Sequence, residues 1–483
     1  MTDAPAGRAS AHRFHPSILR AYDIRGIVGD TLHPADARAI GRAFGALVRR
    51  DGGRTVAVGR DGRLSSPDLE AAVVAGLTAS GCAVLRIGCG PTPMLYYACA
   101  ELGTDGGIMV TGSHNPPTHN GFKMVKGGKP FFGEDIAALG QVAATAAWGD
   151  DTPPGAVENH DLRGVYVDRL LRDHGTAMRP LTVVWDAGNG ATGEIMTRVA
   201  ERLPGRHVLL NAAIDGTFPA HHPDPTLPET LDQLRAAVAA EAADLGIAFD
   251  GDGDRIGVID GQGHILWGDQ LLMLLAEDVL TRHPGAPIIA DVKASKALFD
   301  HVAALGGRPV MGRTGHSLVK TQMKEIGAPL AGEMSGHIFF ADGWYGFDDA
   351  LYAAVRLLDL VGRVWPEGET LADRHARLPR LCATPEIRIE CDEDAKFPAV
   401  EAVTQAVMAQ PELEVSTVDG VRVTTADGWW LLRASNTQAA LVARCEGPDA
   451  AALGRLVEGL SDIVKARGLT LPPEIERLAD RAL

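Results

Sequence analysis

The stretch Leu245-Gly246-Ile247-Ala248-Phe249 is an apolar run that ends in the polar loop Asp250-Gly251-Asp252-Gly253-Asp254-Arg255. A helical pattern at 231–243 precedes it, and a short apolar run in this position is typical of a buried strand. Similar runs alternate with helical patterns along the first three quarters of the chain, as at Thr55–Gly59 and Pro67–Ser80. This alternation predicts α/β domains with largely parallel strands.

Two further apolar runs end in polar loops of the same kind. Ile108–Val110 leads into Thr111-Gly112-Ser113-His114-Asn115-Pro116, and Pro329–Ala331 leads into Gly332-Glu333-Met334-Ser335-Gly336-His337. Ligands bind parallel sheets beyond the carboxyl ends of the strands. We therefore expect three related α/β domains with mixed sheets, whose loops face one central cleft.

The pattern changes near Pro379. Glu386-Ile387-Arg388-Ile389-Glu390 alternates with period two, and strand-like runs separated by short turns follow it up to Ala443. A helical pattern then covers 450–466. These features predict a C-terminal α+β domain with an antiparallel sheet, which would close the cleft. The resulting domain bounds are 1–157, 158–262, 263–375 and 376–483.

The composition is typical of a globular protein with several domains. The 483 residues are 46% hydrophobic and 22% charged, and the net charge is -16. This negative charge argues against a nucleic-acid or anionic-membrane partner. The six cysteines form no CxxC pair, and the longest uncharged apolar run, Ala71–Leu85, is too short to span a membrane. We expect a cytoplasmic protein, a monomer or weak homodimer, that acts on small molecules.

Asp250, Asp252 and Asp254 are the strongest chemical signal. Alternate residues of an extended segment point the same way, and the glycines between them let the backbone curl so that the carboxylates converge. Three converging carboxylates repel one another unless a cation lies among them, and hard oxygen ligands favour Mg²⁺. An EF-hand is excluded because Arg255 and Gly261 stand at its sixth and twelfth positions. A solvated acidic turn is the alternative.

Ser113 is a candidate nucleophile that follows an apolar strand in a tight loop. An exposed serine there can reach both a metal and a substrate. The alternative is a helix cap or a serine turn. The neighbouring His114 either orients the serine or is a turn residue, and geometry decides between these.

Two more loops offer groups for a phosphorylated, hydroxyl-rich ligand. Glu333, Ser335 and His337 supply a carboxylate, a hydroxyl and an imidazole, and carboxylates accept hydrogen bonds from paired hydroxyls. The second loop, Arg433-Ala434-Ser435-Asn436-Thr437, has a guanidinium, hydroxyls and an amide that suit a phosphate dianion. Plain turns are the alternatives. Further basic candidates, each of which has a surface charge as its alternative, are Arg25, Lys123, Lys293 and His316.

Taken together, these motifs resemble the α-D-phosphohexomutases, and within them the bacterial phosphomannomutase/phosphoglucomutase branch. The resemblance runs from about Arg20 to the C-terminal helix. Arg20-Ala21-Tyr22-Asp23-Ile24-Arg25-Gly26 is similar to the opening motif of that branch. Asp215–Pro219 and His221–Pro225 are similar to its second-domain loop.

The resemblance implies a role for each candidate residue. Ser113 would carry a phosphoryl group, and Mg²⁺ would bind Asp250, Asp252, Asp254 and an oxygen of that phosphoserine. Residues near the transferred group would be His114, Lys123, Arg255 and His337, with Lys123 and His337 as candidates for the acid and base. Residues that bind the sugar, the other phosphate or the rest of the pocket would be Tyr22, Arg25, Lys293, His316, Glu333, Ser335, Arg433, Ser435, Asn436 and Thr437.

The activity implied is exchange between hexose 1-phosphate and hexose 6-phosphate through a hexose 1,6-bisphosphate, which would also act as activator. Phosphoglucosamine mutases usually have Gln in place of Met334 and a Pro-Ser-Gly-Thr form of the phosphate loop, so the resemblance implies mannose and glucose phosphates as substrates rather than glucosamine phosphate. Two alternatives stay open. One is a metal-dependent sugar phosphatase, and the other is a catalytically silent phosphosugar-binding regulator.

Overall fold

The computed structural model describes residues 10–148, 152–173, 178–411, 413–436, 439–473 and 475. The chain divides into two compact units. The first contains Met1–Gly268 and Ser335–His375, and the second contains Asp269–Met334 and Ala376–Leu483. The boundaries between the two units therefore fall after Gly268, after Met334 and after His375.

The N-terminal part of the first unit is built on a mixed sheet. Its described strands are β1 Ile24–Ile27, β2 Thr55–Arg60, β3 Ala83–Cys89, β4 Gly106–Val110, β5 His119–Lys126, β6 Lys129–Pro130 and β7 Val157–Asn159. Its helices are α1 Pro34–Arg50, α2 Ser66–Ala79, α3 Thr92–Glu101 and α4 Glu134–Ala144, with a 3-10 turn at Pro16–Ile18. The strand order is β1-β5-β4-β2-β3-β7, with β6 beside β5. Strands β4, β2, β3 and β7 are parallel, and β5 is antiparallel to both β1 and β4.

A second mixed sheet follows in the same unit. Its strands are β8 Leu181–Asp186, β9 Gly205–Leu210, β10 Leu245–Phe249, β11 Ile256–Asp260 and β12 Ile265–Leu266, in the order β12-β11-β10-β8-β9. Its helices are α5 Arg163–Leu171, α6 Gly193–Ala200 and α7 Asp232–Ala240, with a 3-10 turn at Pro228–Leu231. Strand β10 is parallel to β8 and antiparallel to β11, so the aspartate loop is the connection between two adjacent antiparallel strands.

The segment 268–377 contributes elements to both units. Its helices are α8 Gly268–Arg282, α9 Lys296–Ala304, α10 His316–Ile326, α11 Ala350–Asp359 and α12 Leu371–Arg377, with a π-helical turn at Leu360–Val364. In the second unit, β13 Pro287–Asp291 is parallel to β14 Arg308–Gly312 and to β15 Leu330–Gly332. In the first unit, β16 Ile338–Phe340 and β17 Phe347–Asp348 form an antiparallel pair.

The C-terminal sheet is antiparallel throughout its described pairings. Its strands are β18 Cys382–Ala383, β19 Ile387–Glu390, β20 Glu414–Ser416, β21 Val421–Thr425, β22 Gly428–Ala434 and β23 Ala440–Gly447. Helices α13 Lys396–Met408 and α14 Ala450–Lys465 contribute to its core, together with Trp430 and Leu441. The predicted fold class, α/β domains followed by an α+β domain with an antiparallel sheet, is confirmed.

Burial explains why the predicted strands form where they do. All five residues of β4 and of β10 are buried, and continuous apolar runs of this kind are expected for strands covered on both faces. Among the free cysteines, Cys82 and Cys445 are buried whereas Cys382 is exposed. Within the described ranges, no helix is both long enough and apolar enough to cross a membrane.

Candidate active site

The aspartate loop is a tight turn rather than the extended segment that the sequence suggests. Gly253 has a φ of +76°, a left-handed conformation that L side chains rarely adopt. Asp250 Oδ1 accepts hydrogen bonds from the backbone N–H groups of Gly253, Asp254 and Arg255, at 2.9, 3.1 and 3.2 Å. The first carboxylate therefore holds the turn that brings the other two beside it.

The three carboxylates converge as predicted. Each offers one oxygen within 4.8 Å of the other two, and all three side chains are buried. Asp252 Oδ2 accepts hydrogen bonds from Lys123 Nζ at 2.8 Å and from Thr92 Oγ1 at 2.5 Å. Lys123 Nζ also donates to Asp254 Oδ2. One ammonium group thus faces two of the three negative charges.

The pKa values of these groups reflect the repulsion between the buried carboxylates and their attraction to Lys123. Burial raises the pKa of Asp250 well above its ordinary range, and Asp254 and Asp252 add to the rise. Burial alone would lower the pKa of Lys123, but the nearby carboxylates outweigh burial and raise it, so Lys123 is an ammonium at neutral pH. A divalent cation would stabilise the charged form of all three carboxylates.

The donor set fits a hard divalent cation. The trio supplies carboxylate oxygens only, which such ions prefer. In addition, Oδ1 of Asp252 is buried and accepts no hydrogen bond from any described residue. A buried acceptor without a donor is costly, and coordination would satisfy it. The residues present therefore fit the predicted metal site.

Ser113 lies against this trio. Its Oγ donates to Asp250 Oδ2 at 2.9 Å and lies 3.1 Å from Nδ1 of His114. Ser113 has a φ of +50°, which is uncommon for a residue with a side chain. Burial lowers the pKa of His114 well below its ordinary value, with Arg255 and Arg25 adding to the effect, so this imidazole is neutral. The structure thus places the predicted nucleophile beside the predicted metal ligands.

The loop that contains Ser113 is held by a residue that the sequence analysis missed. The buried guanidinium of Arg63 donates to the backbone oxygens of Ser113, Asn115 and Pro116 in this loop and to that of His119, the first residue of β5. Asp61 fixes the same loop by accepting from the N–H of Gly112 at 3.0 Å. The sequence contained a signal for this role, because Asp61 and Arg63 lie one and three residues after the end of β2.

Arg25 and Tyr22 lie at the start of the first sheet. Arg25 donates to Asp23 Oδ2 through Nε and Nη2, and its Nη1 donates to Asn115 Oδ1 at 2.8 Å. Arg25 therefore contacts the serine loop directly. Tyr22, which is half-buried, lies three residues before Arg25, in the bend that leads into β1.

Three more predicted residues of the first unit lie beside the trio. His337 Nε2 lies 3.3 Å from Asp254 Oδ1, and its Nδ1 lies 2.8 Å from Ser335 Oγ. Arg255 pairs with His337 through a backbone bridge, and its Nη1 lies 3.8 Å from Asp224 Oδ1. The imidazole of His337 therefore connects the hydroxyl of Ser335 to a metal-ligand candidate.

In the second unit, Lys293 lies among carboxylates. Its Nζ donates to Glu386 Oε2 at 3.0 Å and lies 3.8 Å from Asp291 Oδ2. Lys293 lowers the pKa of Glu386 to about 2, whereas burial raises the pKa of Asp291 to about 6 against the opposing effect of Lys293. Lys293 is therefore held in place as a charged group.

The loop after Lys293 is anchored by two buried arginines that the sequence analysis did not select. Arg422 Nη1 donates to the backbone oxygens of Val292 and Ala294, at 2.7 and 2.9 Å. Arg444 Nη1 donates to the backbone oxygen of Lys293 at 2.6 Å. Arg422 lies in β21 and Arg444 lies in β23. An arginine is unusual among the apolar residues of a buried strand, and this was the signal that the sequence contained.

Arg433 begins the predicted phosphate loop at the end of β22. Its Nε donates to Asp419 Oδ2 at 3.0 Å, and the same oxygen accepts from the N–H of Thr314 at 3.0 Å. Asp419 therefore links the phosphate loop to the segment before α10. The N–H of Ser435 donates to the backbone oxygen of Ala440, which closes a hairpin, and Asn436 follows it. Thr437 lies outside the described residues.

Two predicted residues lie near the start of α10. His316 is the first residue of the helix, and its Nδ1 lies 3.2 Å from Lys320 Nζ. Glu333 is buried, and its Oε1 accepts from the N–H of Gly315 at 2.6 Å. The second unit thus gathers Glu333 and His316 around one helix start.

A cluster of metal-ligand type also lies outside these sites. It comprises Asp260, His264 and His375. Asp260 Oδ2 lies 2.9 Å from Nδ1 of His375 and 3.3 Å from Nδ1 of His264. Hydrogen bonds from the two rings to one carboxylate account for this cluster.

Comparison with known proteins gives four consecutive family matches. The models are phosphoglucomutase/phosphomannomutase alpha/beta/alpha domains I, II and III and the C-terminal domain of the same family. They match residues 16–148, 165–263, 267–381 and 386–463, respectively.

Individual relatives are similar in sequence to this chain over nearly its whole length. The phosphomannomutase/phosphoglucomutase of Pseudomonas aeruginosa is 46% identical over 464 residues, covering 96% of this chain and 99% of its own. A phosphoglucomutase of Neisseria gonorrhoeae is 42% identical and covers 93% and 97% of the two chains. A crystal structure of a phosphoglucomutase/phosphomannomutase family protein from Burkholderia thailandensis is 44% identical, with a TM-score of 0.87 over 95% of this chain and 100% of its own.

Proposed function

Because the chain belongs to the phosphoglucomutase/phosphomannomutase family, we propose that it interconverts the 1-phosphates and 6-phosphates of mannose and glucose. The family, the isomerase class and the phosphohexomutase activity expected from the sequence are confirmed by the family matches and by the names of the relatives. Both hexoses enter the proposal because relatives are named for mannose and for glucose phosphates.

We propose Ser113 as the phosphoryl carrier. The observation that supports this most strongly is the 2.9 Å hydrogen bond from Ser113 Oγ to Asp250, a member of the carboxylate trio. In the first half-reaction the P–O bond to Ser113 breaks and Ser113 Oγ takes up a proton, while a hydroxyl of the hexose phosphate gains the phosphoryl group and gives up its proton. In the second half-reaction the other P–O bond of the hexose 1,6-bisphosphate breaks, Ser113 Oγ takes that phosphoryl group and gives up its proton, and the sugar oxygen left behind takes up a proton. Free hexose 1,6-bisphosphate would act as activator by loading Ser113.

Asp250, Asp252 and Asp254 would hold Mg²⁺ together with an oxygen of the phosphoserine. When bound, the ion supplies Lewis-acid neutralisation of the phosphoryl oxygens. The buried acceptor atom of Asp252 and the all-oxygen donor set support this assignment.

Charged side chains of the first unit would act on the phosphoryl group directly. Lys123 is held as an ammonium by its carboxylate neighbours, which suits it to stabilise negative charge, and it is the candidate acid. His337, hydrogen-bonded to Ser335 and close to Asp254, is the candidate base. Arg255 would also stabilise charge, and neutral His114 would orient the Ser113 hydroxyl.

The remaining predicted residues would bind the substrate. Arg433 begins a loop whose guanidinium, hydroxyl and amide groups suit the phosphate that does not react. Glu333 would accept hydrogen bonds from sugar hydroxyls, and Ser335 would accept hydrogen bonds from them or donate to them. The other members of this proposed binding set are Tyr22, Arg25, Lys293, His316, Ser435, Asn436 and Thr437.

Several sequence predictions accompany this proposal. The domain bounds 1–157, 158–262, 263–375 and 376–483, the cytoplasmic location and the monomeric or weakly dimeric state stay predictions. Limited proteolysis that cuts near 157, 262 and 375 would support the bounds.

The test is a mutase assay with mannose 1-phosphate, glucose 1-phosphate and glucosamine 1-phosphate, with Mg²⁺ and a bisphosphate primer. We expect the first two substrates to give 6-phosphates, glucosamine 1-phosphate to react least, and Ser113→Ala to lose turnover. Release of inorganic phosphate without isomerised product would instead identify a phosphatase. Turnover by Ser113→Ala near the wild-type rate would exclude Ser113 as carrier.

A further inference from the structure

The backbone of the serine loop is enclosed by the side chain of Arg63. Arg63 Nη2 donates to the oxygens of Ser113 and Asn115 at 2.6 and 2.5 Å, and Nη1 donates to those of Pro116 and His119 at 2.6 and 3.0 Å. The side chain of Arg63 is fully buried. A planar guanidinium presents its N–H groups as a rigid fork, so these four contacts fix both the position and the orientation of the loop.

The surroundings of Arg63 fix the guanidinium in turn. Its Nε lies 3.2 Å from Asp61 Oδ2, the oxygen that also accepts from the N–H of Gly112. The guanidinium carbon lies 5.1 Å from the centre of the Phe218 ring. A Cβ on Gly112 would come within 2.4 Å of Arg63 Nε, so only glycine leaves room for the side chain. The loop, Asp61 and Arg63 therefore form one closely packed unit.

This packing stabilises an unfavourable backbone conformation at the nucleophile. Ser113 has a φ of +50°, a strained conformation that a residue with a side chain keeps only when its surroundings impose it. The carbonyl oxygen of Ser113 accepts from Arg63, whereas its Oγ donates to Asp250 Oδ2. Hydrogen bonds thus hold both the backbone and the side chain of this strained residue.

We propose that Arg63 is a positioning residue for phosphoryl transfer: its guanidinium holds the serine loop in the left-handed conformation that directs Ser113 Oγ toward the carboxylate trio. Arg63 acts on the reaction through the backbone and not by contact with the phosphoryl group. The inference rests on the proposed role of Ser113 as carrier.

Positioning the serine loop requires the forked geometry of the Arg63 guanidinium and not only its positive charge. Lysine has the same charge but a single nitrogen, so Arg63→Lys cannot reach four carbonyl oxygens in this geometry. A displacement of the nucleophile by about 1 Å costs about 100-fold in rate. We therefore expect Arg63→Lys to lower kcat by about 10- to 100-fold, with KM for glucose 1-phosphate changed by less than about threefold, since Arg63 itself makes no described hydrogen bond to a side chain of the proposed substrate-binding set.

The matched control is Arg169→Lys. Arg169 is also a buried arginine of the first unit, it donates to the backbone oxygen of Gly343, and its guanidinium stacks on Trp344. Arg169 makes no described contact with the serine loop. We expect its variant to lose thermal stability while kcat stays within about twofold of wild type.

A rescue experiment separates positioning from stability. Arg63→Ala leaves a cavity of guanidinium shape, and we expect added guanidinium ion at millimolar, non-denaturing concentration to restore part of kcat in Arg63→Ala but not in Arg169→Ala. Unchanged kcat in Arg63→Lys, absence of rescue, or unfolding of Arg63→Lys at the assay temperature while Arg169→Lys stays folded would each overturn the positioning role. Ser113→Ala, assayed in parallel, shows separately whether the carrier assignment holds.

Discussion

The backbone oxygen of Ser113 lies 2.3 Å from the position that a Cβ atom would take on Gly251. The serine loop and the aspartate loop therefore pack backbone against backbone. Gly251 also donates its N–H to the oxygen of Pro223 and accepts from the N–H of Ala191, so the aspartate loop has little freedom to move away. This close approach, which only glycine permits, keeps Ser113 Oγ within hydrogen-bonding distance of Asp250.

Gly251→Ala tests this contact. A methyl group there must push the Ser113 backbone away, so we expect kcat to fall by about 10- to 100-fold. Gly164→Ala is the control, because nothing lies within 4 Å of a Cβ at that helical position. Steady-state assays and thermal melts of both variants decide the matter. Equal activity of the two variants would show that the loops accommodate the methyl group.

Asp252→Asn tests the metal site. The amide cannot offer two anionic oxygens, so we expect Mg²⁺-dependent activity to fall by more than about 100-fold, and calorimetric titration with Mg²⁺ to lose most of its signal. Asp260→Asn is the control, since Asp260 is an equally buried carboxylate outside the trio. We expect it to be less stable but to keep its response to Mg²⁺. Wild-type metal affinity in Asp252→Asn would contradict the assignment.

Arg433→Ala tests the phosphate loop. A hydrogen bond from a charged donor contributes about 1.5 to 3 kcal/mol, so KM for glucose 1-phosphate should rise by about 10- to 100-fold. Because Asp419 keeps its bond from Thr314, we expect the fold to survive. Arg455→Ala, which removes an exposed arginine paired with Asp427, should leave KM unchanged. A pure kcat effect in Arg433→Ala would assign it to the reacting phosphate instead.

The stability of the first unit should depend on the protonation of Asp349. Burial raises its pKa to about 7, although Tyr166 donates to Oδ2 at 2.7 Å. The folded protein then keeps a proton that the unfolded chain releases above its ordinary pKa of 3.8. The free energy of unfolding should therefore fall as pH rises between about 4 and 7, at up to about 1.4 kcal/mol per pH unit.

Denaturant unfolding of Asp349→Asn across this pH range checks the prediction. The variant does not titrate, so its slope should be flatter than that of wild type by the amount attributed to Asp349. Asp161→Asn is the control, because Arg163 lowers the pKa of Asp161 to about 2 and its effect is lost only as pH falls below about 4. Identical slopes in wild type and Asp349→Asn would refute the buried neutral carboxyl group.

Much of the fold and several site loops were predictable because their signals are local. The strand predicted at 245–249 is observed as Leu245–Phe249, and the loop that follows it holds the converging carboxylates. The shape of that loop was not predictable. Asp250 folds it into a turn by accepting three backbone hydrogen bonds, a pattern that residue spacing does not reveal.

The contacts that orient Ser113 could not be predicted because they join distant segments. Arg63 stands 50 residues before Ser113, and Thr92 stands 160 residues before its partner Asp252. The left-handed backbone of Ser113 depends on such contacts, since the residue type itself disfavours it. Sequence reasoning identifies which side chains carry chemistry, and tertiary hydrogen bonds determine where those side chains point.

The most direct test of the account follows the phosphoryl group itself. Protein is incubated with ³²P-labelled hexose 1,6-bisphosphate, and one portion is quenched rapidly and digested. The rest is chased with unlabelled glucose 1-phosphate for increasing times before it is quenched and digested. We predict that the label appears on the peptide containing Ser113 and leaves it at least as fast as the enzyme turns over. Turnover with no label on Ser113, or with label on another residue, would contradict the central claim.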